Sequence, residues 1–524
     1  MPILVTDPIA QDGVLALEAH SRVDVRQGLT PVELVRILPE YEALVVRSET
    51  KVTAEVIAAG ARLQVIGRAG VGVDNIDVDA ATARGIVVVN APAGNTVAVA
   101  EHTLGLILAA ARNIPQAAAA LRDGRWERSK FMGVEVRGKT LGVLGLGRIG
   151  SEVARRALAF EMQILGHDPW VSEEHANRVG ARLVDLDTLL AESDFLTIHT
   201  PATAQTEGLI GANQFKRMKP TAWVVNCARG GIVNEAELIA ALDSGAIAGA
   251  ALDVFAVEPA IDNPLARHPK VVATPHLAAS TQEAQVTVAV EVAEQVVAVL
   301  EGRPAPFAVN APPISAESAR VLAPYSHLAR TLGNLATQLA GGQLRSIEIT
   351  YSGEIAEHDT SALKASVIRG LLEPVSEEPV TLVNAAIVAR NRGLRISERK
   401  SSAPENYANL VTVRVDTDRT DSLVGGTIID GVPHVVRIDE YWVSVVPTGG
   451  QVILTRHVDR PGMIGKVGTL LGEADINISS MQVGRERPRG PALMLISVDD
   501  SIPLEVLDRI QSVAGLDYAK LVRI

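Results

Sequence analysis

Residues 139–168 carry the pattern that most restricts how this chain can fold. The segment 140–144 is apolar and predicts a buried strand, and the segment 151–160 has the spacing of an amphipathic helix. Between them stands a G-x-G-x-x-G motif, whose glycines are Gly145, Gly147 and Gly150. A second apolar segment, 162–166, predicts another strand and leads to Asp168. Together these segments predict a strand–turn–helix–strand unit of a parallel sheet.

This unit predicts a dinucleotide site. The first glycine permits a tight turn, the second lets backbone N–H groups approach a pyrophosphate, and the third lets helix and strand pack closely. The helix N-terminus adds unpaired N–H donors and a positive dipole end. Glycines also mark ordinary strand-to-helix turns, but the order of strand, glycines, helix, strand and acid favours the dinucleotide. An Asp at position 168, rather than an Arg for a 2′-phosphate, favours NAD over NADP.

Length and composition restrict the class of protein. The chain has 524 residues, enough for three or four domains, and is 47% hydrophobic and 21% charged, as globular proteins are. A net charge of −12 argues against nucleic acid as a general partner.

The single cysteine, Cys227, excludes an intramolecular disulfide and a cysteine metal cluster, so we expect no metal and a reducing, cytoplasmic location. The apolar stretch 97–111 contains Glu101 and His102 and is short for a bilayer, so no membrane segment is expected.

The first 95 residues alternate short apolar runs with helical patterns, which predicts a parallel sheet with helices on both faces. The predicted strands are 3–6, 43–47, 63–67 and 86–90, and one predicted helix runs from Thr53 to Ala61. Ligands bind such sheets at the carboxyl ends of the strands. Arg47, Arg68 and Asn95 fall on that rim, either as ordinary surface groups or as parts of an anion site.

Residues 96–280 predict a second α/β unit, built around the glycine motif. Its later strands are predicted at 195–199, 222–226, 248–253 and 271–274. A strongly periodic helix, 282–301, leaves this unit and is long enough to return to the first sheet. We therefore predict a discontinuous first domain, 1–95 and 281–310, with the NAD-binding domain 96–280 inserted into it and a cleft between the two.

Two further units follow a proline-rich linker at 303–313. Residues 311–450 predict an α+β domain with helices near 316–340, a strand at 345–351 and surface loops at 355–359 and 398–405. Residues 451–524 predict the order strand, helix, strand, strand, helix, strand, which is that of a small ferredoxin-like domain.

Three residues at the ends of later strands form a chemically complete set. Arg229 follows the strand 222–226, Glu258 lies in the loop after 248–253, and His276 follows 271–274. An Arg fork binds a carboxylate bidentately, and a His whose tautomer a carboxylate fixes exchanges a proton near neutral pH. Taken singly, each residue is weak as a signal. At three strand ends of one dinucleotide fold, they predict hydride-transfer catalysis.

Four stretches, 145–150, 227–233, 253–259 and 275–281, closely resemble the D-isomer-specific 2-hydroxyacid dehydrogenases, as does the Gly-Arg-Ala-Gly-x-Gly-x-Asp-Asn run at 67–75. The resemblance covers residues 1–310. Residues 311–450 resemble the intervening domain of the long form of this family, of the allosteric substrate-binding type, and 451–524 its ACT regulatory domain. The resemblance implies a Rossmann cofactor domain inserted in a flavodoxin-like substrate domain, then an α+β intervening domain and a ferredoxin-like ACT domain.

The resemblance also implies roles for individual residues. His276 would take the proton of a hydroxyl at carbon 2, Glu258 would hold and polarise His276, and Arg229 would bind the substrate carboxylate. The implied NAD-site residues are Gly145, Gly147, Arg148, Ile149, Gly150, Asp168, Thr200, Cys227, Ala228, Asp253, Leu277, Ala278 and Ala279. Phosphate and carboxylate contacts to substrate would come from Arg47, Arg68 and Asn95.

For the long form, the resemblance implies NAD-dependent oxidation of 3-phospho-D-glycerate to 3-phosphohydroxypyruvate, the first step of phosphorylated L-serine biosynthesis. It further implies a homotetramer and L-serine as an effector bound by His457, Asp459 and Asn477, with Asn477 bridging two chains. Three alternatives remain open here. They are a sibling reductase acting on glyoxylate or 2-oxoglutarate, a redox-sensing protein that uses NAD to control partner assembly, and an ACT domain that only builds an oligomer interface.

Overall fold

A computed structural model describes residues 1–312, 316–376, 379–403 and 406–524. These residues form four sheets, of five, seven, six and four strands, in chain order. Parallel sheets occupy the N-terminal 300 residues and mostly antiparallel ones the remainder, which confirms the predicted fold class.

The first sheet is parallel, with the strand order 2-1-3-4-5 of flavodoxin-like folds. Its strands are β1 (Ile3–Val5), β2 (Val23–Val25), β3 (Ala43–Val46), β4 (Val65–Arg68) and β5 (Val87–Asn90). Its helices are α1 (Gln11–Glu18), α2 (Pro31–Ile37), α3 (Ala54–Ala59) and α4 (Val78–Ala83). The Thr53 side chain caps α3 by accepting from the Val56 N–H, so this helix starts one residue after Thr53. The short strand β2 was not among the predicted strands.

The second sheet is also parallel and has the Rossmann order 3-2-1-4-5-6-7. Its strands are β6 (Thr140–Leu144), β7 (Gln163–His167), β8 (Ala181–Leu183), β9 (Phe195–Ile198), β10 (Trp223–Asn226), β11 (Gly249–Leu252) and β12 (Val271–Ala273). Its helices are α5 (Thr96–Ala111), α6 (Ile114–Arg122), α7 (Arg148–Leu158), α8 (Glu173–Arg178), α9 (Leu186–Glu192), α10 (Ala212–Phe215) and α11 (Glu235–Ser244). Helix α5 packs against α7 and the strands β10 to β12, as part of this core.

Helix α12 (Gln282–Leu300) leaves the second sheet and packs on the first, against α1, β4 and β5. Gly13 of α1 makes this approach possible, because a Cβ there would lie 2.6 Å from the Ala289 Cβ. The chain then stays on the first sheet, where Asn310 accepts from the Val88 N–H and donates to the Ile86 carbonyl. The domain limits given above stay a prediction.

The third sheet belongs to the intervening unit. Its strands are β13 (Leu344–Gly353), β14 (Arg395–Ser401), β15 (Asn409–Thr417), β16 (Asp421–Ile429), β17 (Val432–Ile438) and β18 (Tyr441–Val445), with helices α13 (Ala316–Leu339), α14 (Ser361–Leu372) and α15 (Ala385–Asn391). The expected loop at 398–405 is wrong for its first four residues, because they end β14, which pairs in parallel with β13 at the sheet edge. Residues 404 and 405 lie outside the described residues. The expected loop at 355–359 includes Ile355, which is fully buried.

The C-terminal sheet has the ferredoxin-like order 2-3-1-4. Its elements are β19 (Gln451–Val458), α16 (Met463–Glu473), β20 (Ile478–Arg485), β21 (Pro491–Val498), α17 (Leu504–Gln511) and β22 (Leu516–Arg523). Both helices cover one face, over Ile453, Met494 and Ile496. The predicted order of strands and helices is confirmed.

The other face of this sheet is buried against the intervening unit. Val452, Leu454, Leu493 and Leu495 share one hydrophobic core with α13, α14 and the third sheet. At the free edge of β22, the Gln338 side-chain amide both donates to and accepts from the Arg523 backbone, at 2.9 Å each. The two C-terminal units therefore form one continuous packed body.

Among the described residues, no single helix is long and apolar enough to cross a membrane. Helices α5 and α6 together have the length and apolar composition of a membrane span, but the chain bends by 64° between them. Most of the apolar side chains of α5 lie in the core under the second sheet.

Candidate active site and cofactor cleft

His276 and Glu258 form a direct pair at the carboxyl end of the second sheet. The His276 Nδ1 lies 2.8 Å from the Glu258 Oε2, and the other carboxylate oxygen accepts from the Phe255 N–H at 3.0 Å. Half of the His276 side chain and about a third of that of Glu258 are exposed. The backbone therefore holds the Glu258 carboxylate, which accepts the Nδ1–H of His276. This leaves the Nε2 of His276 available to accept a proton from a bound molecule.

The backbone that carries His276 is strained and is held by Asp253. His276 has a φ of 55°, in the left-handed region that residues other than glycine seldom adopt. Its N–H donates to the Asp253 carbonyl, and the fully buried Asp253 carboxylate accepts from the N–H groups of Leu277 and Ala278. The Thr274 hydroxyl donates to the same carboxylate, which therefore organises the whole turn around His276.

The charge on Asp253 is stabilised despite its burial. His102, on helix α5, places its Nε2 3.3 Å from Asp253 Oδ1 and 3.2 Å from the Thr274 hydroxyl. Burial acts to raise the pKa of Asp253, but the hydrogen bonds from His102, Thr274 and the two backbone N–H groups outweigh it and lower the pKa to about 2. Asp253 is therefore ionised throughout the physiological range.

Arg229 reaches across the cleft to the first domain. Its Nε lies 3.3 Å from the Asp74 Oδ2, and its side chain is about one-third exposed. Asn226 at the end of β10 shapes the turn, donating to the Arg229 carbonyl and accepting from the Ala228 N–H. A Cβ on Gly72 would lie 2.1 Å from the Arg229 guanidinium, so this glycine leaves the room that Arg229 occupies.

The loops of Arg229 and Glu258 pack directly together. A Cβ on Gly230 would lie 1.9 Å from the Phe255 carbonyl oxygen, so the two backbones touch. Since Phe255 also binds Glu258, which binds His276, the loops that follow β10, β11 and β12 form one connected site. The structure thus brings the three predicted catalytic residues to one edge of the sheet.

Arg47 and Arg68 surround the same cleft with positive charge. Burial and the neighbouring guanidinium groups of Arg229 and Arg47 lower the pKa of Arg68 to about 10. The Arg68 Nε is buried and has no hydrogen-bond partner in the described part of the chain. The Arg47 guanidinium donates to the Pro8 carbonyl, and the Arg47 N–H to the Asp7 carboxylate. Three guanidinium groups that repel one another are typical of a site that binds an anion.

Asn95 lies where the chain passes from the first domain into the second. It is the N-cap residue of α5, but its side chain makes no capping bond, and its Oδ1 is buried without a partner in the described ranges. The hydroxyl of Thr96 is in the same state. Both groups thus keep hydrogen-bonding capacity that no described residue satisfies.

The glycine loop fits a dinucleotide. Gly145 has a φ of 92°, and a Cβ on Gly150 would lie 2.0 Å from the Gly145 carbonyl oxygen, so the turn and the helix are tightly packed. Around Gly147, by contrast, a Cβ would meet no atom within 4 Å. This open backbone at the N-terminus of α7 is where a pyrophosphate binds in Rossmann folds.

Asp168 closes the loop from the second strand. Its Oδ2 accepts from the Leu146 N–H and its Oδ1 from the Trp170 N–H, at 2.9 Å each. The carboxylate is thereby fixed beside the glycines, in position to accept from ribose hydroxyls.

The other predicted cofactor residues divide into exposed and buried groups. Arg148 is exposed, with its guanidinium 5.9 Å from the Phe307 ring centroid, and Leu277 is 43% exposed. Ile149, Ala228 and Ala279 are partly buried, and Ala278 is buried.

The Thr200 hydroxyl is buried without a partner among described residues, as an orphaned group facing a ligand would be. Burial raises the pKa of the Cys227 thiol to about 12, so Cys227 acts through packing.

Two site residues escaped the sequence analysis. Asp74, the partner of Arg229, belongs to the 67–75 run that carried the resemblance, but it had no assigned role. His102 was noted only as an interruption of an apolar stretch, although it binds the carboxylate that organises the His276 turn. Both depend on contacts between distant segments. In the described residues, no group of three or more His, Cys, Asp or Glu side chains is placed to hold a metal ion.

The three predicted effector residues do not all meet within one chain, because Asn477 lies far from the other two. His457 lies at the end of β19 opposite Ala492, whereas Asn477 lies at the other end of the sheet and donates to the Asp499 carboxylate. His457 is 2% exposed, and burial lowers its pKa. Asp459 accepts from the Arg485 guanidinium at 2.7 Å, and that hydrogen bond lowers the pKa of Asp459.

Comparison with known proteins shows to which family the whole chain belongs. Family models match the NAD-binding domain of D-isomer specific 2-hydroxyacid dehydrogenases at 104–278, the D-3-phosphoglycerate dehydrogenase intervening domain at 321–439 and the ACT domain at 451–515. The chain is 47% identical to the D-3-phosphoglycerate dehydrogenase of Archaeoglobus fulgidus, with all of both chains covered. It is also 47% identical to that of Synechocystis sp., covering 100% of this chain and 94% of the relative. The chain belongs to the D-3-phosphoglycerate dehydrogenase family.

A solved structure is similar to more than half of this chain. The D-lactate dehydrogenase of Aquifex aeolicus, complexed with NAD and lactic acid, is 30% identical, with a TM-score of 0.52, and covers 57% of this chain and 96% of its own. Members of the family are NAD-dependent oxidoreductases, and this chain has their NAD-binding domain, intervening domain and ACT domain. The alternative of a redox-sensing protein without catalysis is therefore set aside.

Proposed function

We propose that this protein oxidises 3-phospho-D-glycerate to 3-phosphohydroxypyruvate with NAD, the first step of phosphorylated L-serine biosynthesis. The observation that carries the proposal is the His276–Glu258 pair at 2.8 Å, in a loop that packs beside Arg229. The full-length identity to relatives named for this activity supports the choice of substrate.

His276 acts as the base for the substrate hydroxyl. Its Nδ1–H donates to Glu258, so the Nε2 lone pair faces the cleft and takes the proton from the oxygen at carbon 2. The carboxylate of Glu258 stabilises the imidazolium that results. NAD, when bound, accepts the hydride that leaves carbon 2. Loss of one proton and one hydride converts the secondary alcohol to a ketone, and in reverse His276 returns the proton.

Arg229 binds and orients the substrate carboxylate. A guanidinium fork holds a carboxylate bidentately, which fixes carbon 2 relative to His276. Arg47, Arg68 and Asn95 are the proposed contacts for the phosphate and the remaining oxygens. The Asp74 carboxylate, 3.3 Å from the Arg229 Nε, helps to orient this guanidinium.

The proposed NAD site comprises the predicted residues at the carboxyl end of the second sheet. Gly147 and the α7 N-terminus would hold the pyrophosphate, and Asp168 the adenosine ribose. Thr200 and the 276–279 turn would line the nicotinamide side, with Asp253 and Cys227 beneath them. Trp170, which is 92% exposed and donates its N–H to Asp168, would flank the ribose.

The activity test measures NADH formation by purified protein with NAD at alkaline pH. Turnover of 3-phosphoglycerate, with little from lactate or from glyoxylate and 2-oxoglutarate in reverse, is the expected result. No NADH from 3-phosphoglycerate, together with reduction of glyoxylate or 2-oxoglutarate, would assign the chain to a sibling activity.

We further propose that L-serine binds at the ACT domain and inhibits the enzyme, and that the chain forms a homo-oligomer, with a tetramer as the expected size. The separation of Asn477 from His457 supports an effector site shared between two chains. Large apolar side chains exposed near α6 support association of the catalytic halves. Among them are Leu121, Trp126 and Met132, at 58%, 75% and 84% exposure.

Initial rates against added serine, with light-scattering mass in parallel, test both statements. A flat rate curve up to millimolar serine would leave the ACT domain a purely structural role, and a monomer in solution would remove the shared site.

The reduced, buried Cys227 supports the proposed cytoplasmic location.

A further inference from the structure

A large cavity lies where the catalytic half meets the intervening unit. Its volume is about 1210 Å³, and its walls come from the first domain and α12 on one side and from α13, α14 and α15 on the other. The two sides touch directly, since the Thr381 hydroxyl donates to the Gly85 carbonyl at 3.0 Å. The cavity is separate from the catalytic cleft, because none of the residues of the His276, Arg229 and glycine loops line it.

Among the described residues that line this cavity, the charged groups are all basic. Among its described lining residues there is no Asp, Glu or Lys. The basic ones are Arg62, Arg84, Arg303, Arg330, Arg369 and His327. Arg62, Arg84 and Arg303 belong to the catalytic side and the others to the intervening side, so positive charge faces the cavity from both walls. A chain with a net charge of −12 concentrates arginines here against its overall sign.

Carboxylates outside the cavity hold several of these arginines in place. Arg330 and Arg369 each donate only their Nε to Glu373, at 2.8 and 2.9 Å. Their terminal nitrogens have no other partner in the described ranges, so each fork keeps donors for a ligand. Arg62 pairs with Glu42, Arg303 pairs with Glu301, and Arg84 donates to the Ala58 carbonyl. Among the described residues, five guanidinium groups against three carboxylates leave an excess of positive charge.

We propose that this interdomain cavity is a binding site for a small organic anion with two or more negative charges, such as a phosphorylated or polycarboxylate metabolite. Arginine forks recognise phosphate and carboxylate oxygens bidentately, and a polyanion is the ligand that satisfies cations on two facing walls. A ligand that contacts both walls binds only while the two units are in this arrangement. Its binding therefore stabilises one placement of the catalytic half relative to the C-terminal body.

The test uses the full-length protein and pyrophosphate as the probe, titrated by calorimetry at low ionic strength. Arg84→Gln and Arg369→Gln remove one cation from each wall, singly and together. The matched control is Arg390→Gln, which removes an exposed arginine from α15 that does not line the cavity. We expect the double variant to weaken pyrophosphate binding at least tenfold, each single variant several-fold, and the control less than twofold.

Pyrophosphate is also a ligand for the arginines of the catalytic cleft. Binding to the Arg47→Gln variant is therefore measured in parallel, to separate the two sites. Weakening by Arg47→Gln alone, with no effect of Arg84→Gln or Arg369→Gln, would overturn the proposal, as would an absence of binding to the wild type. Thermal unfolding is the second measurement. Pyrophosphate should raise the Tm of the wild type and of Arg390→Gln, and an equal rise in the double variant would contradict the cavity as the site. Circular dichroism establishes that each variant is folded, and the single variants keep the test open if the double one is not.

Discussion

In the catalytic cleft, the chemically active side chains meet within one chain, whereas the ACT sheet separates its three candidate ligand residues between its two ends. His276 and Glu258 are 2.8 Å apart, and Arg229 lies in the loop packed beside them. His457 and Asn477 are about 20 Å apart, taking six residues of strand at the usual rise. The predicted catalytic residues therefore converge in a single chain, whereas the predicted effector residues would need a second chain to form one site.

The difference follows from the direction of the strands. In a parallel sheet every strand ends at the same edge, so the loops after β10, β11 and β12 are neighbours. In the antiparallel ACT sheet, the loop after β19 and the loop before β20 lie at opposite ends. The following predictions test this contrast, starting with the largest expected effect.

His276→Ala should lower kcat by about 10³, because it removes the group that takes the substrate proton. NAD affinity should change little, since the proposed contacts of Gly147 and Asp168 to the pyrophosphate and the ribose are left intact. Stopped-flow rates and NAD titration by fluorescence measure the two quantities. Substantial remaining activity would show that another group is the base.

Asp253→Ala should destabilise the fold by about 3 kcal/mol, because two backbone N–H groups and a hydroxyl lose their acceptor. It should also lower kcat, since the strained turn at His276 loses its anchor. The matched control is Thr274→Val, which removes a single hydroxyl and should cost about 1 kcal/mol. Urea unfolding gives the stability, and equal effects of the two variants would contradict the role of Asp253 as the organising group.

Acidification should lower the free energy of unfolding of both halves through His199 and His457, whose pKa values are lowered by burial. Burial lowers the pKa of His199, in the cofactor domain, to about 3, so the folded state binds fewer protons than the unfolded state below about pH 6.5. This contribution is complete above pH 6.5, and about 2 kcal/mol of it is lost by pH 5. The loss should be absent in His199→Gln.

His457→Gln should change the same pH profile less. Burial lowers the pKa of His457, but Asp459 and Asp517 act to raise it. Unfolding free energies at pH 7 and pH 5 for the wild type and both variants make the comparison. A larger effect at His457 than at His199 would reverse the expected order.

A mixing experiment tests the shared effector site and has the smallest expected effect. Asp459→Asn and Asn477→Ala should each abolish serine inhibition. If each site takes Asp459 from one chain and Asn477 from another, a mixed pair of the two variants contains one intact site and one doubly altered site. Co-refolded mixtures should therefore regain part of the inhibition. No recovery in the mixture would place all the effector contacts in one chain.

Local patterns were sufficient to predict the strand ends that carry Arg229, Glu258 and His276. Each of these side chains lies within a few residues of a buried apolar strand, and the parallel order brings such ends together. Asp74 and His102 required contacts between segments that are distant along the chain, which no local pattern contains. Asp74 lies in the first domain and reaches Arg229 only because the two domains close on each other.

The misread strand β14 shows a second limit. Its sequence, Arg-Ile-Ser-Glu-Arg-Lys-Ser, is polar because β14 is an edge strand and most of its side chains are exposed. Alternation of apolar and polar residues is lost when no face is buried, and charges on an edge strand prevent further pairing. A polar run is therefore ambiguous between a loop and an edge strand.

The core shared by the intervening unit and the ACT sheet limits how this protein can be divided. A chain ending at residue 450 would expose the apolar surface that normally meets Val452, Leu454, Leu493 and Leu495. An excised ACT domain would expose the complementary surface. In calorimetry the two should melt as a single cooperative transition. For protein engineering, the ACT domain of this chain is consequently not a portable module, and the smallest exchangeable piece is the entire C-terminal body.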